Sequence, residues 1–349
     1  MSKAVIAMSG GVDSSVAAAL MLEQGHECIG ITLKLFNGES RCCSLQDVND
    51  AKAVAFKLNI PHYVLNFIDD FDTQVLQRFV KTYEEGATPN PCIDCNRYIK
   101  FNLLLLRAQQ LDFEYLVTGH YARIEKDAGS GRFLLRKSCD EKKDQSYVLY
   151  CLTQQQLAHT LFPLGGLSKL DVRKIAELQN FATAAKGESQ DICFVPNGDY
   201  GDFIEKYSGK TWLPGDIIDT EGKKIGQHRG IIRYTIGQRR GLGVAANTPI
   251  YVAAKSVADN TVTLGPDSCL YGKSLDAKDI NLIACERIEK PMRVTVKTRY
   301  LQTGQPAAAE QTGENTLHIE FDAPQRAITP GQAAVLYDGD IVVGGGTIV

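Results

Sequence analysis

The chain has 349 residues, 44% hydrophobic and 23% charged, with 38 Lys and Arg against 41 Asp and Glu for a formal net charge of −3. That balance describes a globular protein of two or three domains, and it excludes any argument for a nucleic-acid partner from overall charge. No run of about 18 apolar residues could cross a bilayer, and the first apolar run is too short for a secretory signal, so the expectation is a cytoplasmic protein without a membrane partner, whose ten cysteines are mostly reduced thiols.

In chain order, Ala4 to Met8 reads as a buried strand and Val16 to Glu23 as a helix that stops at Gly25. Between them lies Ser9-Gly10-Gly11-Val12-Asp13-Ser14-Ser15, a sharp turn feeding a helix N-terminus. Two glycines let backbone N–H groups approach a polyanion closely, the helix start adds orphan donors, and the serines add hydroxyls. The loop lacks the spacing and the lysine of a P-loop, so it suits a grip on pyrophosphate that leaves the α-phosphorus open to attack. Further strands are expected at Cys28 to Leu35, His62 to Phe67 and Tyr115 to Thr118, and helices at Gln46 to Leu58, Asp70 to Glu85, Ile99 to Gln110 and Ser168 to Gln179. This alternation predicts an α/β fold, a doubly wound parallel sheet with its ligand at the carboxyl ends of the strands, where the glycine loop, Leu33 to Phe36 and Gly119-His120 converge.

Pro89-Asn90-Pro91-Cys92-Ile93-Asp94-Cys95-Asn96 is stiffened by its prolines, and a helix starting near Asn96 or Arg97 would aim its dipole at Cys95 and lower its pKa. A second candidate thiol is Cys193, in the glycine-flanked segment from Gly187 to Phe194. Cys28, Cys139, Cys151, Cys269 and Cys285 read as small buried hydrophobes. Beyond Gly209 the texture becomes β-rich, with a hairpin-like stretch from Tyr251 to Leu264 and alternation over Arg293 to Tyr300 and Leu317 to Phe321. Ala333 to Tyr337 joins Ile341 to Val343 across Asp338-Gly339, a pair suited to a type I′ turn, while Gln305 to Thr312 reads as a flexible loop. The expected domains are 1–205, 206–274 (a small β domain) and 275–349 (a β-barrel).

The glycine loop resembles that of the PP-loop ATPases, which activate an oxygen as an adenylate and release pyrophosphate. Together with PNPCIDCNRYIKF, GHYAR, KKDQSYVLY, GESQDICF, TIGQRRGLG and KTRYLQ in that order, the chain resembles the tRNA-specific 2-thiouridylases. This resemblance implies a sulfurtransferase that converts the wobble uridine (position 34) of tRNA to 2-thiouridine, using ATP with Mg²⁺. It implies an ATP site at Ala7, Met8, Ser9, Gly10, Gly11, Val12, Asp13 and Ser14, with Leu33 near the adenine and Gly119 letting the nucleotide approach. It implies Cys95 as nucleophile and Cys193 as persulfide carrier, with Cys95 resolving the persulfide as a disulfide bond or releasing sulfide from it. Contacts to the tRNA anticodon region are implied at Asn90, Pro91, Cys92, His120, Lys143, Asp144, Gln145, Arg299, Tyr300 and Gln332, and the sulfur donor would be a cysteine desulfurase or a sulfur-relay protein.

The sequence departs from the commoner family pattern at Cys92, where an Asp usually stands. Cys92, Cys95 and Cys193 could then ligate a 4Fe-4S cluster; zinc, with Cys42-Cys43 too contiguous for the usual spacing, and a spare thiol beside a persulfide relay are the other readings. Two rival functions also fit parts of the chain: a PP-loop ligase acting on a small carboxylate or nucleotide, and a non-catalytic RNA-binding protein with a structural, metal-bound Cys-x-x-Cys.

Overall fold

Five parallel strands form the first sheet of the computed structural model, which describes residues 2–36, 44–187, 192–195 and 198–349; Cys42-Cys43 and Glu188 to Asp191 of the cysteine segment lie outside the described residues. The strand order is His62–Asn66, Glu27–Lys34, Lys3–Ala7, Tyr115–Val117, Thr160–Leu161. Chain order reverses between Lys3–Ala7 and Tyr115–Val117, and such a switch point leaves a crevice at the carboxyl ends of the two strands. The glycine loop follows the first of these strands and Gly119-His120 the second, so the convergence read from sequence is present.

Helix Val12–Glu23 is packed between this sheet and neighbouring helices, with Val16, Ala17, Ala18 and Ala19 all buried. Small side chains let the helix approach the strands closely, where its N-terminus meets the crevice. Helix Leu45–Lys57 begins with a capping box, in which the Ser44 hydroxyl accepts from the Asp47 N–H and the Asp47 carboxylate accepts from the Ser44 N–H. Its start therefore has a fixed position beside the glycine loop.

The helix expected from Ile99 begins eight residues earlier. It runs continuously over 91–110, with Asn90 as N-cap, Pro91 at the first position and a π-wound middle over Cys95–Leu104. Pro91 lacks an N–H where none is needed, and the Asn90 side chain accepts from the Cys92 N–H, so the motif read as a stiff lead-in is itself the first turn.

Two β units follow. Tyr251–Ser256, Thr261–Gly265, Gly215–Ile218 and Lys224–His228 form a four-stranded sheet, and six strands from Tyr271–Leu282 to Ile341–Ile348 close into an antiparallel barrel through pairing of the first with the last. The stretch expected to be a loop, Gln305 to Thr312, is the barrel strand Gln305–Gly313, paired on both sides. Its inward residues Ala307 and Ala309 are fully buried but too small to give a β-branched signal. The last hairpin turns on Gly339-Asp340, one residue later than expected. Only Gly339 has positive φ, 59°, which is the II′ pattern and not I′.

The hairpin Ala122–Lys126/Phe133–Lys137 belongs by sequence to the α/β part but extends the barrel sheet through Ile341–Ile348. Asp340 in the barrel turn takes Arg123 at 2.6 Å and Arg136 at 2.7 Å. Ala333, Val335, Tyr337, Val342 and Ile283 share one buried cluster with Val5, Ile31, Phe101 and Tyr147, so barrel and parallel sheet have a common core.

Candidate functional site

Ala7 ends its strand, and Met8 is locked to the neighbouring strand: its N–H donates to Ile31 O at 2.8 Å and its carbonyl accepts the Thr32 hydroxyl at 2.7 Å. The chain then turns through Gly10 at φ 72°, where a Cβ would collide with the Asp47 carbonyl. Gly10 therefore has two independent reasons to be glycine: its left-handed backbone and its contact with the adjacent helix. Gly11 is the N-cap of Val12–Glu23 without side-chain capping, its carbonyl accepting both the Ser14 and Ser15 hydroxyls. Ser9 is exposed at the mouth of the loop and its N–H donates to Ser14 Oγ at 3.2 Å.

Asp13 does not point into an empty crevice. Its carboxylate accepts the Tyr121 hydroxyl at 2.7 Å and the Lys169 ammonium at 2.7 and 2.8 Å. Lys186, from the far side, donates to Gly10 O at 3.0 Å, Asp47 Oδ1 at 2.7 Å and Asp50 Oδ2 at 2.6 Å. Tyr121, Lys169 and Lys186 were not singled out from sequence. The available signal was the position of Tyr121 in GHYAR and of Lys186 just before GESQDICF.

Gly119 lies against the loop. A Cβ there would sit 2.8 Å from the Asp13 carbonyl carbon and the Ser14 nitrogen, so the missing side chain admits the protein's own backbone. His120 stacks among Phe101 and Phe162 with centroids 5.7 and 5.9 Å away, and its Nδ1 is 2.7 Å from the Thr118 hydroxyl. Burial, aided by the Lys100 charge, pushes its pKa well below the ordinary histidine value, so the ring is neutral.

Cys95 and Cys193, distant in sequence, are half-buried against one apolar cluster that also receives Leu33 and Phe36. Phe194, next to Cys193, is fixed by Phe79 at 5.2 Å, Phe71 at 5.9 Å and Phe203 at 5.0 Å. The helix-dipole argument for Cys95 needs correction. The helix starts at Pro91, so Cys92 occupies its first turn while Cys95 lies a turn further, beyond the strongest part of the dipole. Cys92 is exposed, and among the described residues no three His, Cys, Asp or Glu side chains are gathered to hold a metal ion.

The remaining cysteines divide. Cys28 and Cys151 are buried, and burial raises each to about 11, whereas Cys139 and Cys269 are exposed and Cys285 is intermediate, against the expectation of burial for all five.

Of the other RNA-contact candidates, Asn90 and Pro91 build the helix start. Asp144 is buried, its carboxylate accepting from the Ser138 and Ser146 N–H groups and the Ser146 hydroxyl, and Gln145 Oε1 accepts the Tyr121 N–H. These two side chains hold the loop, while Lys143 is half-exposed beside them. Arg299 donates to Ile236 O, Ala327 O and Thr329 Oγ1, tying the middle sheet to the barrel, and Tyr300 packs edge-on to Tyr147 at 6.0 Å. The Gln332 amide donates to Thr88 O at 2.8 Å and Pro89 O at 3.2 Å, so a barrel loop grips the segment leading to Cys92 and Cys95.

A family model described as the tRNA methyl transferase HUP domain matches residues 2–197, a tRNA methyl transferase PRC-barrel domain matches 201–266, and an aminomethyltransferase β-barrel domain matches 272–348. A protein of Clostridioides difficile strain 630 named tRNA-specific 2-thiouridylase MnmA is 49% identical over 352 residues, covering 99% of this chain and 98% of its own. One of the same name from Heliobacterium modesticaldum strain Ice1 is 51% identical over 353 residues, covering 99% and 92%. Among solved structures, the U34-tRNA thiolase NcsA of Methanococcus maripaludis, described with its 4Fe-4S cluster, covers 59% of this chain and 67% of its own at 19% identity and a TM-score of 0.37, too slight a likeness to bear on the cysteines.

Proposed function

Because this chain belongs to the tRNA-specific 2-thiouridylase family, we propose that it thiolates the wobble uridine of tRNA in an ATP-dependent reaction at the switch-point crevice. The observation that supports this reading is that Leu33, Cys95 and Cys193 all pack against one apolar cluster, which includes Leu35 just after the strand that neighbours the loop-bearing one.

ATP is a substrate, arriving with Mg²⁺ that neutralises part of its charge. The N–H groups of Gly11 and the first helical turn, with the Ser9 hydroxyl, receive the β and γ phosphates. Asp13 holds the loop through Tyr121 and Lys169. Uridine O2 attacks the α-phosphorus, the bond to the β-phosphate oxygen breaks, and pyrophosphate leaves. C2 now carries AMP as a good leaving group.

The terminal sulfur of a Cys193 persulfide attacks C2 and AMP departs. The Cys95 thiolate then attacks Cys193 Sγ, forming a Cys95–Cys193 disulfide and releasing 2-thiouridine, after which a dithiol reductant restores both thiols. In the alternative order, Cys95 first displaces sulfide from the persulfide and the sulfide attacks C2. Neither route requires an iron–sulfur cluster. A stacked anticodon base cannot reach the crevice, so the uridine is splayed out. The catalytic unit spans 1–205, and the units 206–274 and 275–349 grip the tRNA through Arg299, Tyr300 and the exposed Arg239 and Arg240, with Lys143 and His120 nearer the base. The sulfur donor is a cysteine desulfurase or a relay protein carrying a persulfide.

Incubating the protein with tRNA, α-labelled ATP and a persulfide source tests this. AMP, pyrophosphate and one 2-thiouridine per tRNA are expected by nucleoside mass analysis; ADP and orthophosphate would refute it.

A further inference from the structure

Resting on the reading of the glycine loop as an ATP site, we propose that Lys186 is the cation that makes this loop competent to bind a polyanion, in place of the lysine its motif lacks. The geometry is a tripod: three ammonium N–H bonds reach three acceptors, Gly10 O, Asp47 Oδ1 and Asp50 Oδ2, at 2.6 to 3.0 Å. Asp47 and Asp50 sit one turn apart on Leu45–Lys57, and Asp47 touches Gly10 itself. Two carboxylates so placed oppose the entry of pyrophosphate unless a cation covers them.

The residue is also mechanically well placed. Thr183 donates its hydroxyl to Ser15 Oγ at 3.1 Å, and Phe181 is buried in the cluster beneath helix Val12–Glu23, so the turn that presents Lys186 is fixed to the helix whose N-terminus forms the loop. Burial alone would raise the Asp47 carboxyl, yet the Lys186 and Ser44 hydrogen bonds hold it below the usual range, and the bonds to Asp47 and Asp50 raise Lys186 against its own burial, so this carboxylate and the ammonium are charged together at neutral pH. Lys186 acts through Gly10 and the two acids; it is a positioning residue.

The test uses full-length protein and three readouts: ATP affinity by calorimetry, KM for ATP in tRNA-dependent pyrophosphate release, and persulfide loading of Cys193 by mass. Lys186→Met is expected to raise KM for ATP by about tenfold or more while Cys193 still loads, and Lys186→Arg to recover most of the loss. Asp50→Asn in the Lys186→Met background should regain part of the ATP affinity, because it removes one uncovered charge. Asp50→Asn alone should bind ATP as tightly as wild type or tighter, a result independent of whether Lys186→Met folds. Wild-type KM in Lys186→Met, or weaker ATP binding in either Asp50→Asn protein than in its parent, overturns the proposal. If the wild-type protein binds no ATP, the loop reading falls and this role with it; intact wild-type binding unaltered by Lys186→Met removes only the role of Lys186.

Discussion

The proposed nucleotide end and the proposed sulfur end of the crevice are built from opposite materials. Around the glycine loop the fixed contacts are ionic: Lys169 on Asp13, Lys186 on Asp47 and Asp50, hydroxyls on the Gly11 carbonyl. Around Cys95 and Cys193 they are apolar, a cluster of Phe71, Phe79, Phe194, Phe203 and Ile99. The contrast suits the chemistry proposed for each end. A polyanion must be met by charges already in place, whereas a persulfide and an activated base need water excluded.

If that division holds, the two ends fail separately. The largest effect belongs to the thiols: Cys193→Ser should abolish 2-thiouridine formation, below detection by nucleoside mass analysis, with ATP and tRNA affinities unaltered. Retained thiolation would remove the persulfide route. Next comes the packing that holds the Cys193 neighbourhood. Phe79 is fully buried, and Phe79→Ala should cost about 3–5 kcal/mol of unfolding free energy in urea melts, with persulfide loading lost before ATP binding. At the ionic end, Asp13→Asn should cost about 2 kcal/mol, less than the 3–5 typical of a fully buried pair because Asp13 is a third exposed. Its signature is weakened ATP binding with normal persulfide loading, the reverse of Phe79→Ala.

A pH experiment at His120, one residue beyond Gly119 beside the loop, sharpens the comparison. Its folded pKa is depressed, so the unfolded chain takes up a proton near pH 6.5 and the folded chain does not. The stability from the neutral ring is complete above that pH and is lost as pH falls below it, at up to about 1.4 kcal/mol per unit. His120→Gln should flatten this slope in urea midpoints measured from pH 7.5 to 5. The smallest expected change is for Gln332→Ala, which releases two carbonyl contacts on the 88–89 segment: about 1 kcal/mol or less in stability, with a fall in thiolation rate and not in ATP affinity.

How far the sequence disclosed this division depended on how local each part is. The glycine loop and the parallel strands are contiguous patterns of turn chemistry and hydrophobic runs, and both appear where they were expected. Lys169, Lys186 and Tyr121 are remote in the chain and ordinary in isolation; only the folded sheet brings them to the loop. The start of the 91–110 helix was misplaced because two prolines read as a lead-in when Pro91 is itself compatible with a first turn. Gly119 also admits the backbone of Asp13 and Ser14, a contact that a single glycine in the sequence does not announce. The strand Gln305–Gly313 escaped detection because its buried positions are alanines.

The shared core of barrel and parallel sheet bears on how the molecule is made. On the ribosome, Ile341–Ile348 is the last of the described elements to emerge, yet it pairs with Phe133–Lys137 and contributes Val342 to the cluster that contains Val5 and Ile31. Without this strand the cluster lacks Val342 and the Phe133–Lys137 hairpin lacks its pairing, so the core under the parallel sheet stays incomplete until the last barrel strand is in place.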